Sequence, residues 1–304
     1  MSDRPFRFAF QETASADPES IRAATTIAES LGYDEYWSSD HIGAADPFLP
    51  LQFAADATST LRVGPLTLNN EFHHPAMIAR SVATLDRLSG GRAVLGLGTG
   101  YAQDEHDATA IPLRAPGDRV TRFGETLQVV RSLLDTGACT FEGAHHQIAI
   151  DDLGIRPVQS RVPILVGGNG RRVVRLAAQC ADIFQYTGLT FPPDGRPDTS
   201  GMSLTALRLR RDWFEEAAGD RLTDVERSAL VQRVTVDGDT TAATAEIAER
   251  TGLSEADVAE CPFFLVGSVA QLVDKIGRLR DELGITHYVI RDAEAFAPVV
   301  AELR

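Results

Sequence analysis

Gly91-Arg92-Ala93-Val94-Leu95-Gly96-Leu97-Gly98-Thr99-Gly100-Tyr101 is an apolar run that enters a glycine-rich turn. Ala93 to Leu97 is short, nearly continuously apolar and bounded by glycine, the pattern of a strand buried on both faces of a parallel sheet. In the turn, Gly98 and Gly100 lack a Cβ and Thr99 adds a hydroxyl, which opens backbone N–H groups to an anionic ligand. Taken alone, the run fits the first βα turn of a dinucleotide-binding fold or of a methyltransferase, but Gln103 stands where a G-x-G-x-x-G motif needs its last glycine. Strand and helix patterns precede it, so it reads as the fourth strand of a series.

Upstream, Phe6 to Phe10 reads as a strand, and Asp17-Pro18-Glu19 supplies an N-cap, a first-turn proline and a first-turn acid. The helix that follows carries Ile21, Ala24, Ile27, Ala28 and Leu31 at helical spacing and stops at Gly32. Asp34 to Ser38 makes the second strand, ending in Ser38-Ser39-Asp40-His41, and a short helix around Leu51 to Ala57 leads to the third, Leu61 to Leu68. Asn69 to His74 is the next loop. Pro75 opens a helix with Ile78, Val82 and Leu85 that closes at Ser89-Gly90-Gly91.

Downstream, Ala102 to Gly117 reads as a polar loop, Asp118 as the cap of a helix bearing Phe123, Leu127, Val130 and Leu134, and Cys139 to Ile150 as a hairpin. Pro163 to Val166 is the fifth strand, followed by Gly167-Gly168-Asn169-Gly170, and Ile183 to Tyr186 is the sixth. Thr190 to Gly201, with Pro192, Pro193 and Pro197, has the composition of a loop suited to a lid, and Leu230 to Val236 is the seventh strand. Helices are expected from Ser203, over Ala242 to Arg250 and over Ser254 to Glu260. A capping box at Ser268-Val269-Ala270-Gln271 then opens the helix before the eighth strand, His287 to Ile290.

Eight apolar strands alternating with amphipathic helices predict an α/β fold, a (β/α)8 TIM barrel forming a single domain over 1–304. Reactive groups on such a barrel collect after the strands, here at Gln11-Glu12, Asp40-His41, Asn69-Asn70, Thr99-Gly100-Tyr101, Gly167-Gly168, Tyr186-Thr187, Asp237-Gly238 and Arg291-Asp292.

Composition narrows the partners. A formal charge of −14 argues against nucleic acid or an anionic membrane as the partner and requires any anionic ligand to be met locally. Cys139, Cys180 and Cys261 are too far apart for a local metal motif and offer no disulfide framework, which points to a reducing, cytoplasmic setting. Met1 to Pro5 leads into a strand without a signal-type segment, and no apolar run approaches the ~20 residues of a membrane helix. Lys275 is the sole lysine beside many arginines, a mark of a GC-rich genome.

The ordered set Trp37-Ser38-Ser39-Asp40-His41, Leu61-Arg62-Val63-Gly64-Pro65-Leu66, His74-Pro75-Ala76, Leu85-Asp86-Arg87-Leu88-Ser89-Gly90-Gly91-Arg92, Leu95 to Gly100 and Leu165-Val166-Gly167-Gly168 resembles the bacterial luciferase-like superfamily, in particular its oxidoreductases that use the deazaflavin coenzyme F420. The resemblance takes in nearly the whole chain. It implies a barrel with insertion segments, F420 across the barrel mouth, and FMN as the alternative cofactor. It also implies a non-prolyl cis peptide at Leu66-Thr67, forming a bulge that supports the deazaflavin ring, and a coenzyme phosphate near Thr99, Gly100, Gly167 and Gly168. A small-molecule substrate follows from this reading, with a homodimer as the candidate assembly. The family's sugar-phosphate dehydrogenases place a tryptophan after the Asp-His pair and a glutamate after the Thr-Gly pair. Ala45 and Tyr101 stand there in this chain, which argues against sugar-phosphate oxidation because a phenol with pKa about 10 replaces a carboxylate.

His41 is the candidate for proton transfer, since an imidazole suits either direction near neutrality; the structural alternative is a histidine bonded at a strand end. Asp40 either contacts the coenzyme or orients His41, and the coenzyme is favoured because neighbouring side chains of an extended segment point apart. Tyr101 is a candidate to line the substrate space, with packing at the barrel mouth as its structural alternative. Asn69 and Asn70 are candidates for the polar edge of the deazaflavin, since an amide donates and accepts in one plane, with turn formation as their alternative. Adjacent pairs His73-His74 and His145-His146 do not ligate one ion easily, so structural roles are expected and no metal is assigned. The expected activity is hydride transfer between F420 and a small organic substrate. The alternatives are an FMNH2-dependent monooxygenase and a coenzyme-binding protein without turnover.

Overall fold

The computed structural model describes residues 4–12, 16–192 and 197–304. The elements of the first half are β1 (Arg7–Gln11), α1 (Pro18–Ser30), β2 (Glu35–Ser38), α2 (Leu49–Ala57), β3 (Arg62–Pro65), β4 (Leu68–Asn69), α3 (Pro75–Leu88), β5 (Leu95–Gly98), α4 (Gln103–Thr109), α5 (Pro116–Thr136), β6 (Cys139–Glu142) and β7 (Gln147–Ile150). The second half contributes β8 (Ile164–Gly167), α6 (Arg171–Cys180), β9 (Ile183–Tyr186), α7 (Leu204–Ala218), β10 (Glu226–Leu230), β11 (Arg233–Val236), α8 (Thr240–Thr251), α9 (Glu255–Glu260), β12 (Phe264–Gly267), α10 (Val269–Leu283), β13 (Ile285–Ile290) and α11 (Ala293–Leu303). Local chemistry sets many of these limits. Asp17 accepts from the Ser20 N–H at 2.8 Å before α1, and α10 opens on the Ser268–Gln271 capping box and closes on left-handed Gly284.

The chain forms two compact units. The first comprises the segment ending at Gln11, Ile27–Glu35 and Gly167–Arg304. Within it β1, β13, β10 and β9 pair in parallel, in that order. Its core stacks Phe184 on Phe214 with centroids 5.0 Å apart and packs Phe8 against Tyr288 and Phe296. The expected seventh strand, Leu230–Val236, is corrected here. Glu226–Leu230 occupies the main sheet, while Arg233–Val236 pairs with β12 in a separate two-stranded sheet, so Asp237-Gly238 does not follow a main-sheet strand. The reason is polar pairing inside the unit. Glu226 accepts from Arg7 at 2.8 Å, Arg227 meets Glu215 at 2.9 Å, and Ser228 lies 2.9 Å from His287 Nδ1. These partners let a polar sequence form a buried strand. The chain's single lysine is also internal: Lys275 Nζ donates to the carbonyls of Phe264 at 2.6 Å and Val258 at 3.4 Å. The loop expected over 190–201 contains 193–196, and Pro193 with them lies outside the described residues.

His287 makes this unit sensitive to acid. Burial, reinforced by the Arg7 guanidinium, holds its imidazole down to about 4. An unfolded histidine takes up its proton near pH 6.5, so between about 6.5 and 4 the unfolded chain binds more protons and stability falls with pH. Urea unfolding is expected to show a loss of about 2 kcal/mol from this residue by pH 5, an amount missing from a His287→Gln variant. Equal pH dependence in the two proteins would contradict the assignment.

The second unit comprises Glu12–Thr26 and Tyr36–Val166. Here β4 pairs with β5 and β5 with β8, all parallel, and Leu66 N–H donates to Ser38 O at 2.9 Å beside β2. The expected third strand Leu61–Leu68 divides into β3 and β4 at a cis Leu66–Thr67 peptide. A Cβ on Gly96 would lie 2.5 Å from Pro65 O and one on Gly98 2.7 Å from Thr67 Oγ1, so these glycines leave room for the adjoining strand. The polar loop expected over 102–117 contains α4, and α5 starts at Pro116 rather than at a cap on Asp118. The β6–β7 hairpin is antiparallel. Glu125 holds its tip, accepting the N–H groups of Ala144, His145 and His146 at 2.8–3.0 Å.

The Leu85–Arg92 stretch is a structural stitch. Fully buried Asp86 accepts four hydrogen bonds: from Ala93 N at 3.2 Å, Val158 N at 2.6 Å, Gln159 N at 3.0 Å and Gln159 Nε2 at 2.5 Å. Arg92 donates to the carbonyls of Ala55, Leu61 and Ser89.

Candidate active site

The residues following β2, β4 and β5 meet within the second unit. Asp40 Oδ2 accepts from Asn69 N at 2.8 Å and faces His73 Nε2 at 2.9 Å, so this carboxylate fastens the segment after β4 and does not orient His41. His41 has a different partner. Its Nδ1 lies 2.6 Å from Glu105 Oε1, while Glu105 Oε2 accepts from Ile42 N at 3.3 Å. On the opposite edge, His41 Nε2 lies 3.4 Å from Tyr101 Oη, with the two rings edge-on at 5.9 Å. His41 and Tyr101 are exposed, whereas the Glu105 side chain is only 13% exposed.

Asn69 and Asn70 behave differently although they are neighbours. Asn69 Oδ1 accepts from Glu71 N at 3.0 Å, and its Nδ2 donates to His106 Nε2 at 3.0 Å, a tautomer set by His106 Nδ1–H donating to Ile111 O at 2.8 Å. The Asn69 amide therefore has internal partners for both its oxygen and its nitrogen. Asn70 is fully buried, and neither Oδ1 nor Nδ2 of its side chain has a hydrogen-bond partner. Its backbone is held firmly: the N–H donates to Gly98 O at 3.0 Å and the carbonyl accepts from Arg122. Arg122 also donates to His73 O at 3.0 Å and, with Arg114, pairs with the buried Glu71 carboxylate; burial lowers the Arg122 pKa. An orphaned buried amide costs about 1–3 kcal/mol, so this one marks a place for a donor–acceptor partner.

Leu66 and Thr67 flank the cis peptide next to Gly98. Thr99 and Gly100 follow β5. Gly100 takes a left-handed φ of 79° and lies against the Asn69 amide, where any side chain would collide.

Gly167 and Gly168 belong to the first unit and precede α6. Its N-cap, Gly170, provides no side-chain acceptor. Asn169 pins the turn by donating from Nδ2 to Leu189 O at 2.6 Å and accepting from Thr187 Oγ1 at 2.9 Å. Buried Arg210 donates from Nε to Asn169 O at 3.2 Å and from Nη1 to Gly201 O at 2.8 Å. A Cβ on Gly168 would lie 2.5 Å from Val173 Cγ1, so that glycine makes room for α6 itself, and a valine there would disturb the helix start.

The paired histidines have separate partners. His74 caps α3 and packs edge-on to His146, which lies 3.0 Å from Thr126 Oγ1, and His145 meets Asp118 at 3.1 Å. Among the described residues, no group of three or more His, Cys, Asp or Glu is placed to hold a metal ion. Glu105 is the site residue that the sequence reading missed. Ala102 to Ala110 has no proline or glycine and carries Asp104 and Glu105 at its start, a legible helix signal, but nothing local links Glu105 to His41.

A family model described as luciferase-like monooxygenase matches residues 4–199. The chain is 27% identical over 234 residues to 5,10-methylenetetrahydromethanopterin reductase of Archaeoglobus fulgidus, covering 75% of this chain and 68% of that one. It is 30% identical over 251 residues to F420-dependent glucose-6-phosphate dehydrogenase of Nakamurella multipartita, covering 79% and 70%. Among solved structures, the coenzyme F420 dependent tetrahydromethanopterin reductase from Methanopyrus kandleri superposes with a TM-score of 0.79 at 21% identity, over 98% of each chain. That likeness gives the fold class, the (β/α)8 TIM barrel expected from the alternation of strands and helices. On the family match and the 30% relative together, the chain belongs to the luciferase-like monooxygenase family.

Proposed function

We propose that this protein is an F420-dependent oxidoreductase that transfers a hydride between the deazaflavin and a small organic substrate. The observation that carries the proposal is the unpartnered Asn70 amide. One buried donor and one buried acceptor in a single plane fit the polar edge of a deazaflavin ring, where carbonyl and N–H groups alternate. Thr67 and Gly98 are the proposed neighbours of that ring.

When bound, the coenzyme supplies hydride acceptance and donation at its C5. The protein's part is position and proton traffic. Asn70 orients, Arg122 keeps Asn70 in place through its carbonyl, and His41 with Tyr101 moves a proton at the exposed end of the site. The deazaflavin is preferred to FMN because the relative from Nakamurella multipartita is an F420-dependent dehydrogenase. Fluorescence titration is expected to give a dissociation constant for oxidised F420 at least about tenfold below that for FMN, a difference of about 1.4 kcal/mol. Equal affinity, or oxygen consumption with reduced FMN, would favour the monooxygenase reading instead.

A further inference from the structure

We infer that Glu105 is a positioning residue that fixes the tautomer of His41, so that the Tyr101 hydroxyl is the group that exchanges a proton with the substrate; this rests on the reading of His41 as part of the proton route. An ionised carboxylate only accepts hydrogen bonds, so the 2.6 Å contact with Glu105 requires the proton of a neutral His41 on Nδ1. Nε2 is then the acceptor, and Tyr101 Oη faces it at 3.4 Å, a long contact of the kind that tightens in a substrate complex. Exposure runs in the same order, from the 13% exposed Glu105 through His41 at 42% to Tyr101 at 45%. Asp40 does not compete for His41, being engaged with Asn69 and His73.

The arrangement answers the objection raised by a tyrosine at position 101. A phenol alone is a weak base near neutral pH, but one that passes its own proton inward as it receives another never accumulates as phenolate. In the oxidative direction, a substrate hydroxyl gives its proton to Tyr101 Oη while the phenol proton moves to His41 Nε2, and the imidazolium formed faces the Glu105 carboxylate. With F420 bound, the hydride on the carbon bearing that hydroxyl would pass to the deazaflavin, so the substrate would lose two electrons and two hydrogens in all and become a carbonyl. Reduction runs the same transfers backwards.

The test is 15N NMR of the full chain labelled at histidine, without coenzyme, at a pH where His41 is neutral, with the resonance identified by its loss in His41→Gln. Wild type is expected to show the Nδ1–H tautomer and Glu105→Leu the Nε2–H tautomer, while Tyr101→Phe leaves the tautomer unchanged. An Nε2–H tautomer in wild type, or no change in a Glu105→Leu variant with normal circular dichroism, overturns the inference. Glu105→Gln keeps the side chain's shape and removes its charge. In single-turnover experiments it is expected to lower hydride transfer about tenfold with coenzyme affinity unchanged, and an unchanged rate also counts against the inference. Absence of hydride exchange between F420 and any substrate in wild type would instead refute the functional reading, a result independent of the tautomer.

Discussion

Replacing His41 by alanine is expected to lower the rate of hydride transfer by roughly 10²-fold or more, the usual scale for a lost general acid or base, while coenzyme affinity changes little. The expectation follows from position. His41 sits between a shielded carboxylate and an exposed phenol, and its own ring is exposed. Removing it breaks the contacts that join Glu105 to Tyr101 through the imidazole. The measurement is single-turnover bleaching or recovery of the deazaflavin chromophore with a working substrate, wild type against variant, across pH. A variant that keeps both the rate and the wild-type pH profile would make His41 a structural residue.

The second large effect concerns stability. Asp86→Ala is expected to cost about 4 kcal/mol, because one buried carboxylate serves four N–H donors and its loss strands them together. Two of those donors are the backbone N–H groups of Val158 and Gln159, so the variant also releases the segment that leads into β8. Asp86→Asn should fall between, since an amide keeps one acceptor oxygen and turns a donor toward N–H groups. Urea denaturation decides it: a lowered midpoint with an unchanged m-value is expected, and a loss below about 1 kcal/mol in the alanine variant would contradict the stitch.

Legibility in the sequence tracked how local the determining physics is. The sixth strand, Ile183–Tyr186, and the capping box at Ser268 can be read directly, because alternation, caps and glycine stops act within a few residues. β10 cannot, since Glu226-Arg227-Ser228 looks like a surface segment until Arg7 and His287 arrive from distant parts of the chain. The glycines of β5 are legible as required glycines, but the ones at 96 and 98 make room for the strand interrupted at Leu66–Thr67. Asn69 and Asn70 are indistinguishable by residue type. The bond to His106, 37 positions away, and the one from Glu71 N separate the spent amide from the free one. Glu105 is hidden for the same reason, 64 positions from its histidine.

The inward placement of Lys275 gives this residue an unusual response to alkali. Burial brings this lysine down to about 8, so its desolvated charge disappears early, and between about 8 and 10.5 the unfolded chain holds the extra proton, which makes folding more favourable as pH rises. Four of the five tyrosines, Tyr33, Tyr36, Tyr186 and Tyr288, are pushed upward by burial and do not ionise in that range. Every other basic side chain apart from histidine is arginine, so surface pairs such as Arg171–Glu216 and Arg233–Glu246 keep both charges where lysine pairs would lose one.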